Sequence, residues 1–188
     1  FFCSIWILVS FFSLQASQIT VYEYRETLDE ESYLATWQVE TADSSYISIS
    51  GDTMADKMVL NFKDNNVVSL KCKRKEEQTE LLVTRSGLKK LIVSGYVKSK
   101  PVSKALTLPN LPWFQAPGFC LKPFVLSDEK RIDFFVFSVK DQKIIKLAAR
   151  KITKEMVQVN DKSIKTTKVK LFIPGFFAFL WSGYTWFD

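Results

Sequence analysis

The sequence contains no histidine, the side chain that most enzymes use to carry protons near neutral pH. Catalytic groups of the serine–histidine–aspartate and cysteine–histidine types are therefore excluded, and so are most zinc sites. The six glycines form no phosphate-binding loop, because the stretch SGDTMAD lacks the strand-to-helix context that such a loop requires. We predict a protein that is not an enzyme and that holds no metal or cofactor.

Cysteine is also scarce, with residues at positions 3, 72 and 120. Cys72 follows the alternation of a predicted strand, which favours a small buried residue. Cys120 would need an activating base other than histidine to serve as a nucleophile, so a packing role is favoured for it as well. A disulfide between Cys72 and Cys120 stays open, because the sequence does not fix the distance between them.

The positive charge is dispersed along the chain. The net charge is +6, carried mostly by lysines spread over residues 57–170 without a dense basic block. Scattered lysines on alternating strand positions keep a sheet soluble and protect its edges. No recognised nucleic-acid motif accompanies this charge, so we predict no nucleic-acid partner.

The first 16 residues, FFCSIWILVSFFSLQA, form an uncharged apolar run followed by small and polar residues. This pattern is typical of a secretory signal peptide, with cleavage before Ser17. Neither a methionine nor a basic segment precedes the run, so we predict that the signal is incomplete at its N-terminus. The expected location is the periplasm or the cell envelope, with residues 17–188 forming a single domain.

Short β-rich runs alternate with turn residues through most of the remaining chain, which predicts an antiparallel meander. In the run VVSLKCK, the pattern places Val68, Leu70 and Cys72 on one face. The last run is apolar on both faces, with a possible bulge at Ser182 and Gly183. Residues 171–187 also have the length of a short membrane-spanning helix, but Pro174 and the aromatic residues favour a strand.

Five of the six prolines lie between residues 101 and 130, at positions 101, 109, 112, 117 and 123. Such a segment cannot be a central strand of a sheet. It is nevertheless rich in aromatic and aliphatic residues, so it must pack on something. We predict a short helical or irregular apolar plug over one face of the sheet, with any helix confined to residues 102–127.

The stretches LPWFQ, LSDEKRIDFFVFS, VNDKSIKTTKVKL and FLWSGYTWFD resemble a group of bacterial exported β-proteins. That group is similar in layout to the Lol-type lipoprotein carriers. The resemblance implies an all-β fold, in which an antiparallel meander curves into a half-barrel with a helical plug over an apolar cavity. It also implies that the closing WSGYTWFD continues into a further strand, so that the chain is truncated at its C-terminus. The anchoring cysteine and the receptor-binding motif of the carriers have no counterpart in this sequence.

Two functional hypotheses follow. The first is an exported binding protein that holds a lipid, an acyl chain or another apolar ligand in the concave face of the half-barrel. The alternative is an envelope structural or interaction protein whose plug fills its own core, with an envelope protein as partner. The candidate ligand-binding residues are the aromatics expected to converge under the plug: Trp113, Phe114, Phe119, Phe124, Phe134, Trp181, Tyr184 and Trp186.

Overall fold

The computed structural model describes most of the chain that follows the predicted signal peptide. The described residues are 18–28, 31–43, 46–52, 56–63, 66–74, 77–159, 162–175 and 181–187. The predicted signal peptide at residues 1–16 lies outside them, and so do Asn160 and Asp161, a pair of residues that is typical of a hairpin turn.

Eight consecutive strands form the first sheet. They are β1 (Gln18–Leu28), β2 (Glu31–Asp43), β3 (Tyr46–Asp52), β4 (Asp56–Lys63), β5 (Asn66–Arg74), β6 (Thr79–Ser86), β7 (Lys90–Val97) and β8 (Lys100–Thr107). Each strand pairs with the next along the chain, so β1 and β8 are the two edges. Lys98 and Ser99 both have positive φ, as the two-residue hairpin between β7 and β8 requires.

Four later strands form the second sheet. They are β9 (Arg131–Ser138), β10 (Lys143–Val159), β11 (Lys162–Phe172) and β12 (Ser182–Phe187), in the order β12-β11-β10-β9. All their pairings are antiparallel. Two short helices, α1 (Pro117–Cys120) and α2 (Lys122–Leu126), precede this sheet. The predicted fold class, a mainly β chain in which an antiparallel meander curves into a half-barrel with a short helical or irregular plug, is confirmed: the sheets are antiparallel, and the described strands form no closed barrel.

Two strands differ from the sequence interpretation. The start of the proline-rich segment forms β8, where Pro101 lacks an N–H group but lies on an edge strand that tolerates this loss. The runs KIIKLAARKI and MVQV, whose composition is typical of two separate strands, are instead one 17-residue strand, β10. Its register with β11 shifts between Lys151 and Thr153, so Ile152 is an extra, bulged residue.

A second bulge changes the facing of residues in β5. Asn61 pairs with Ser69 and Phe62 pairs with Val67, which leaves Val68 as the extra residue. Val67 is therefore fully buried and Val68 only half-buried. The predicted facing of Val68 is wrong for this reason, whereas the two residues expected beside it, Leu70 and Cys72, are both buried.

One apolar core joins the two sheets and the helices. In the first sheet, a row of cross-strand partners crosses four strands, and each partner has no exposed surface: Leu60, Leu70, Val83 and Val93. The second sheet contributes three phenylalanines of β9 to the same core, because this strand is buried on both faces. These phenylalanines are Phe134, Phe135 and Phe137.

Gly95 in β7 gives a test of this packing. Its φ is +130°, and a Cβ atom there would lie 2.1 Å from the carbonyl oxygen of Glu80. We expect Gly95→Ala to lower the free energy of unfolding by at least about 2 kcal/mol, from backbone strain and this clash together. Gly118→Ala is the control, because a Cβ atom at Gly118 meets nothing within 4 Å. Urea denaturation of both variants measures the difference, and equal stability of the two would contradict the expectation.

Candidate functional site

The proline-rich segment lies along the edge of β9. Phe114 N donates to Phe135 O and Phe135 N donates to Pro112 O, both at 3.0 Å. Trp113 forms a parallel bridge with Phe135, and their rings are stacked with centroids 6.2 Å apart. Residues 112–115 therefore extend the second sheet by one short segment. We call residues 112–127, which include this segment and both helices, the lid.

The Gln115 side chain continues the pairing. Its Oε1 accepts hydrogen bonds from Trp113 Nε1 and from Phe137 N, each at 2.9 Å. Its Nε2 donates to Phe137 O at 3.1 Å. The buried indole N–H of Trp113 thereby has a partner, as buried polar groups require. This amide fixes the lid in one register against β9.

The far end of the lid is attached to β10. Pro117 and Pro123 lie in the first turns of α1 and α2, where the missing N–H group has no helical partner to lose. After α2, Ser127 Oγ donates to Phe124 O at 2.8 Å. Lys151 Nζ, from β10, donates to the carbonyl oxygen of Ser127 and lies 4.9 Å from the centroid of the Phe124 ring. Lys151 thus connects the end of the lid to the sheet.

The structure brings most of the predicted aromatic residues together under the lid. Trp113, Phe114, Phe124 and Phe134 all belong to the buried core, and Phe119 packs against it half-buried. The rings of Phe114 and Phe134 lie with centroids 5.4 Å apart. Exposure of the four core residues does not exceed 8%. These side chains pack in one cluster with little exposed surface.

The three aromatic residues predicted near the C-terminus lie elsewhere. Trp181, Tyr184 and Trp186 are exposed by 46%, 50% and 44%. The register of β12 on β11 is regular through Ser182 and Gly183, so the expected bulge is absent there. Tyr184 and Trp186 therefore face away from the buried Phe187. The predicted convergence of Trp181 and Trp186 with the lid aromatics is wrong, while their contact with a ligand stays a prediction.

A cleft of about 490 Å³ opens where the lid ends. We call it the lid cleft. It lies between the last residues of α2 and the strands β10, β11 and β12. Its lining combines apolar side chains with three lysines and one carboxylate: Val125, Leu126, Ser127, Asp128, Lys151, Lys154, Lys165, Thr166, Thr167 and Phe187.

The bulge at Ile152 brings two of the cleft lysines to one face. Lys151 pairs with Val169 and Lys154 pairs with Thr167. Val169 and Thr167 are two residues apart in β11 and therefore share a face. In a regular strand, residues 151 and 154 would point to opposite faces, because their separation is odd. Nothing in the sequence indicated the bulge, so the position of both lysines on one face could not be predicted.

The remaining walls of the cleft follow from the register of the edge strand. Thr167 pairs with Phe187, so this phenylalanine lies in the same row as Lys154. Lys165 is two residues from Thr167 and shares its face. Leu126, at the end of α2, is 79% exposed. Neither Leu126 nor Phe187 is among the predicted ligand-binding residues, because both stand at the ends of elements where alternation is short.

A second cleft, of about 510 Å³, lies beside the hairpin turns of the first sheet. Two of its side chains already form a hydrogen bond, in which Ser99 Oγ donates to Gln78 Oε1 at 2.5 Å. Lys98 N donates to Thr79 Oγ1 at 3.2 Å and so joins two adjacent turns. This cleft is lined by polar and charged side chains with Tyr96 as its one aromatic residue, so we take the lid cleft, which has an apolar wall, as the candidate site.

The described residues show little chemistry of a catalytic kind. Burial raises the pKa of the Cys120 thiol to about 12, so this thiol is protonated at neutral pH. Cys72 and Cys120 are both buried and no disulfide joins them. Within the described ranges, no three histidine, cysteine or carboxylate side chains are grouped to hold a metal ion. Neither α1 nor α2, the helices of this part of the chain, has the length to cross a membrane.

A polar network lies on the other face of β11 and β12. Trp186 Nε1 donates to Glu155 Oε1 at 2.6 Å, and Lys168 Nζ lies 3.4 Å from the same oxygen. Lys168 Nζ also lies 5.1 Å from the ring centroids of Tyr184 and Trp186. The indole hydrogen bond, followed by the contact with Lys168, lowers the pKa of Glu155 below its usual range.

This network predicts a pH dependence. Because the folded pKa of Glu155 is lowered, its interaction with Trp186 is present above the unfolded pKa of about 4.3 and is lost as the pH falls through the folded value. We expect the indole N–H signal of Trp186 in NMR spectra to stay constant above about pH 4.3 and to move at lower pH. Glu155→Gln should abolish this movement. A movement centred above the usual glutamate pKa would contradict the assignment.

Comparisons with known proteins give no family assignment for this chain. No family model, no curated protein and no solved structure matches it. The resemblance to exported β-proteins of the Lol type therefore stays a prediction from the sequence. What the protein does is inferred from the lid cleft and from the contacts around it.

Proposed function

We propose that the chain is a non-enzymatic binding protein that holds an anionic lipid in the lid cleft. The observation that carries this proposal is the combined lining of the cleft, in which apolar side chains of the lid and of β12 face three lysines of β10 and β11. Its volume of about 490 Å³ lies within the range of about 300–1,000 Å³ that is usual for ligand sites.

The apolar side of the cleft supplies the affinity for a hydrocarbon chain. Val125, Leu126 and Phe187 line it together, and Leu126 is exposed enough to lose most of its accessible surface to a ligand. Each Å² of apolar surface that leaves water contributes about 25 cal/mol. An acyl chain laid against these side chains would therefore bind without any polar contact.

The lysines supply the affinity for a negatively charged head group. Lys154 and Lys165 are exposed at the cleft, whereas Lys151 already bonds the lid through Ser127. Asp128 is the only carboxylate among the lining residues, so positive charge predominates. A carboxylate or phosphate placed between Lys154 and Lys165 would make charge-assisted hydrogen bonds to both.

The proposed ligand site lies outside the interior under the lid, where the sequence predicted it. The buried aromatics from Trp113 to Phe134 pack on one another there, so the ligand would lie at the end of the lid instead. We keep export to the periplasm or cell envelope as part of the proposal, on the apolar pattern of residues 1–16.

The first test places a charge on the apolar wall. We expect Leu126→Glu to weaken the binding of a fluorescent fatty acid by about tenfold or more, because a buried leucine contributes about 1.5–3 kcal/mol. Leu126 is 79% exposed, so the variant should fold. Leu88→Glu is the matched control, since Leu88 is 82% exposed in a turn of the first sheet. Equal affinities of the two variants, or a wild type without saturable binding, would overturn the proposal.

The second test separates head group from chain. Lys154→Ala combined with Lys165→Ala should weaken the binding of a long-chain fatty acid by about tenfold, through the loss of two charge-assisted bonds. The same variant should bind the corresponding fatty alcohol as tightly as the wild type does. Lys89→Ala with Lys90→Ala, in the first sheet, controls for the change in net charge. If acid and alcohol lose the same affinity, the lysines do not recognise the head group.

A second candidate function rests on the filled core. Because Trp113 and Phe134 have no exposed surface and Phe124 is 4% exposed, the lid can be read as a plug that completes the fold and binds nothing. The protein would then be a structural or interaction component of the envelope. This alternative predicts no saturable binding of any lipid probe, so the first test distinguishes it from the lipid-binding proposal.

A further inference from the structure

One face of the second sheet carries a row of cations that ends at an aromatic residue. Arg131, Arg150, Lys170 and Tyr184 are successive cross-strand partners in β9, β10, β11 and β12. Because adjacent strands lie about 4.8 Å apart, the three cations occupy about 10 Å of the sheet. In β11 and β12, Lys168 and Trp186 form the next pair on this face. We call this surface, which comprises Arg131, Arg150, Lys168, Lys170, Tyr184 and Trp186, the basic-aromatic face.

Part of the positive charge on this face is not neutralised. Asp133 lies 2.8 Å from Arg131, and Glu155 lies 3.4 Å from Lys168. Among the described residues, no carboxylate forms an ion pair with Arg150 or Lys170, so the face carries an excess of positive charge. Such a surface attracts a partner that presents many negative charges.

The aromatic side chains are exposed, and cations lie over their rings. Tyr184 and Trp186 are 50% and 44% exposed, and Lys168 Nζ lies 5.1 Å from both ring centroids. In the same way, Arg131 and Arg150 lie 5.6 Å and 5.4 Å from the centroid of Phe172. These cation–π contacts order the charges beside the aromatic groups.

Two kinds of polyanion combine with basic and aromatic side chains. Single-stranded nucleic acid needs open ring faces on which bases stack, but here a cation covers the rings of Tyr184 and Trp186 on one side. A bilayer surface needs only that tyrosine and tryptophan reach the head-group level while lysine and arginine contact lipid phosphates. The arrangement favours the bilayer.

We propose that the basic-aromatic face docks the protein on an anionic lipid bilayer. Arg150 and Lys170 contact the phosphates, and Tyr184 and Trp186 enter the interface between head groups and acyl chains. This docking does not depend on the lid cleft, because the cleft lysine Lys165 and the cleft phenylalanine Phe187 lie on the opposite face of β11 and β12.

Vesicle flotation of the full chain tests the proposal. The measured quantity is the ratio of affinities for vesicles that contain about one third phosphatidylglycerol and for vesicles of phosphatidylcholine alone. This ratio cancels any binding through the apolar run at residues 1–16. Arg150→Glu combined with Lys170→Glu should lower the ratio at least about tenfold, at about 1 kcal/mol for each charge near the surface. Lys89→Glu with Lys90→Glu changes the net charge equally and should retain most of the ratio.

The possible outcomes separate this proposal from the alternatives. An equal decrease in both double variants would reduce the effect to net charge and overturn the proposal, as would a wild-type ratio near one. Binding of oligothymidylate by a wild type that ignores the vesicles would assign the face to nucleic acid instead. The two proposals can fail independently of each other. Leu126→Glu should leave the vesicle ratio unchanged, and Arg150→Glu with Lys170→Glu should leave the affinity for fatty acid unchanged.

Quenching of tryptophan fluorescence tests whether the aromatic residues enter the bilayer. Phosphatidylcholine brominated on its acyl chains, mixed with phosphatidylglycerol, quenches tryptophan that enters the interface. We expect quenching of the wild type and less quenching of Trp186→Phe, which keeps an aromatic ring. Unchanged quenching in this variant would show that Trp186 does not reach the bilayer and would overturn its assigned place.

Discussion

The pairing of residues 112–115 with the edge of β9 is the contact on which the second half of the molecule depends. A segment with several prolines cannot supply the N–H groups of a central strand, but an edge requires only alternate ones. Phe114 N and Pro112 O meet this requirement, and Gln115 adds a side-chain amide to the pairing. With the lid seated, β9 has a neighbour on each side and is buried on both faces. The same contact determines where α2 ends, close to β10 and Lys151.

Alternation and turn chemistry were sufficient to predict the meander and the lid, because each depends on residues close in sequence. They failed where one extra residue enters a strand. Val68 and Ile152 are both bulged, and each reverses the facing of the residues on one side of it. A bulge depends on how two strands meet, and the sequence of one strand does not record this. At Pro101, by contrast, the rule that excludes proline from central strands held. The strand that contains Pro101 is β8, which is an edge strand.

The candidate site was predicted under the lid and lies at its end, for a reason that concerns packing. Large aromatic side chains at neighbouring positions, such as Phe134 and Phe135, fill an interior rather than line a void. Near the lid, space remains where α2 stops short of the strands beside it. Helix α2 ends at Leu126, while β10 continues to Val159 and β11 begins at Lys162. The length of the lid relative to these strands therefore determines where the cleft opens. No residue type in the sequence indicates this difference in length.

The two faces of β11 receive different cations because of their spacing. Lys168 and Lys170 are two residues apart and share the basic-aromatic face, whereas Lys165 is three residues from Lys168 and lies on the side of the lid cleft. β12, an edge of the second sheet among the described strands, alternates in the same way, with Trp186 on one side and Phe187 on the other. If both proposals hold, a docked bilayer and the lid cleft lie on opposite faces of β11 and β12. A lipid would then reach the lysines of the cleft by passing around an end or an edge of the sheet, because the hydrogen-bonded backbone leaves no path between these strands.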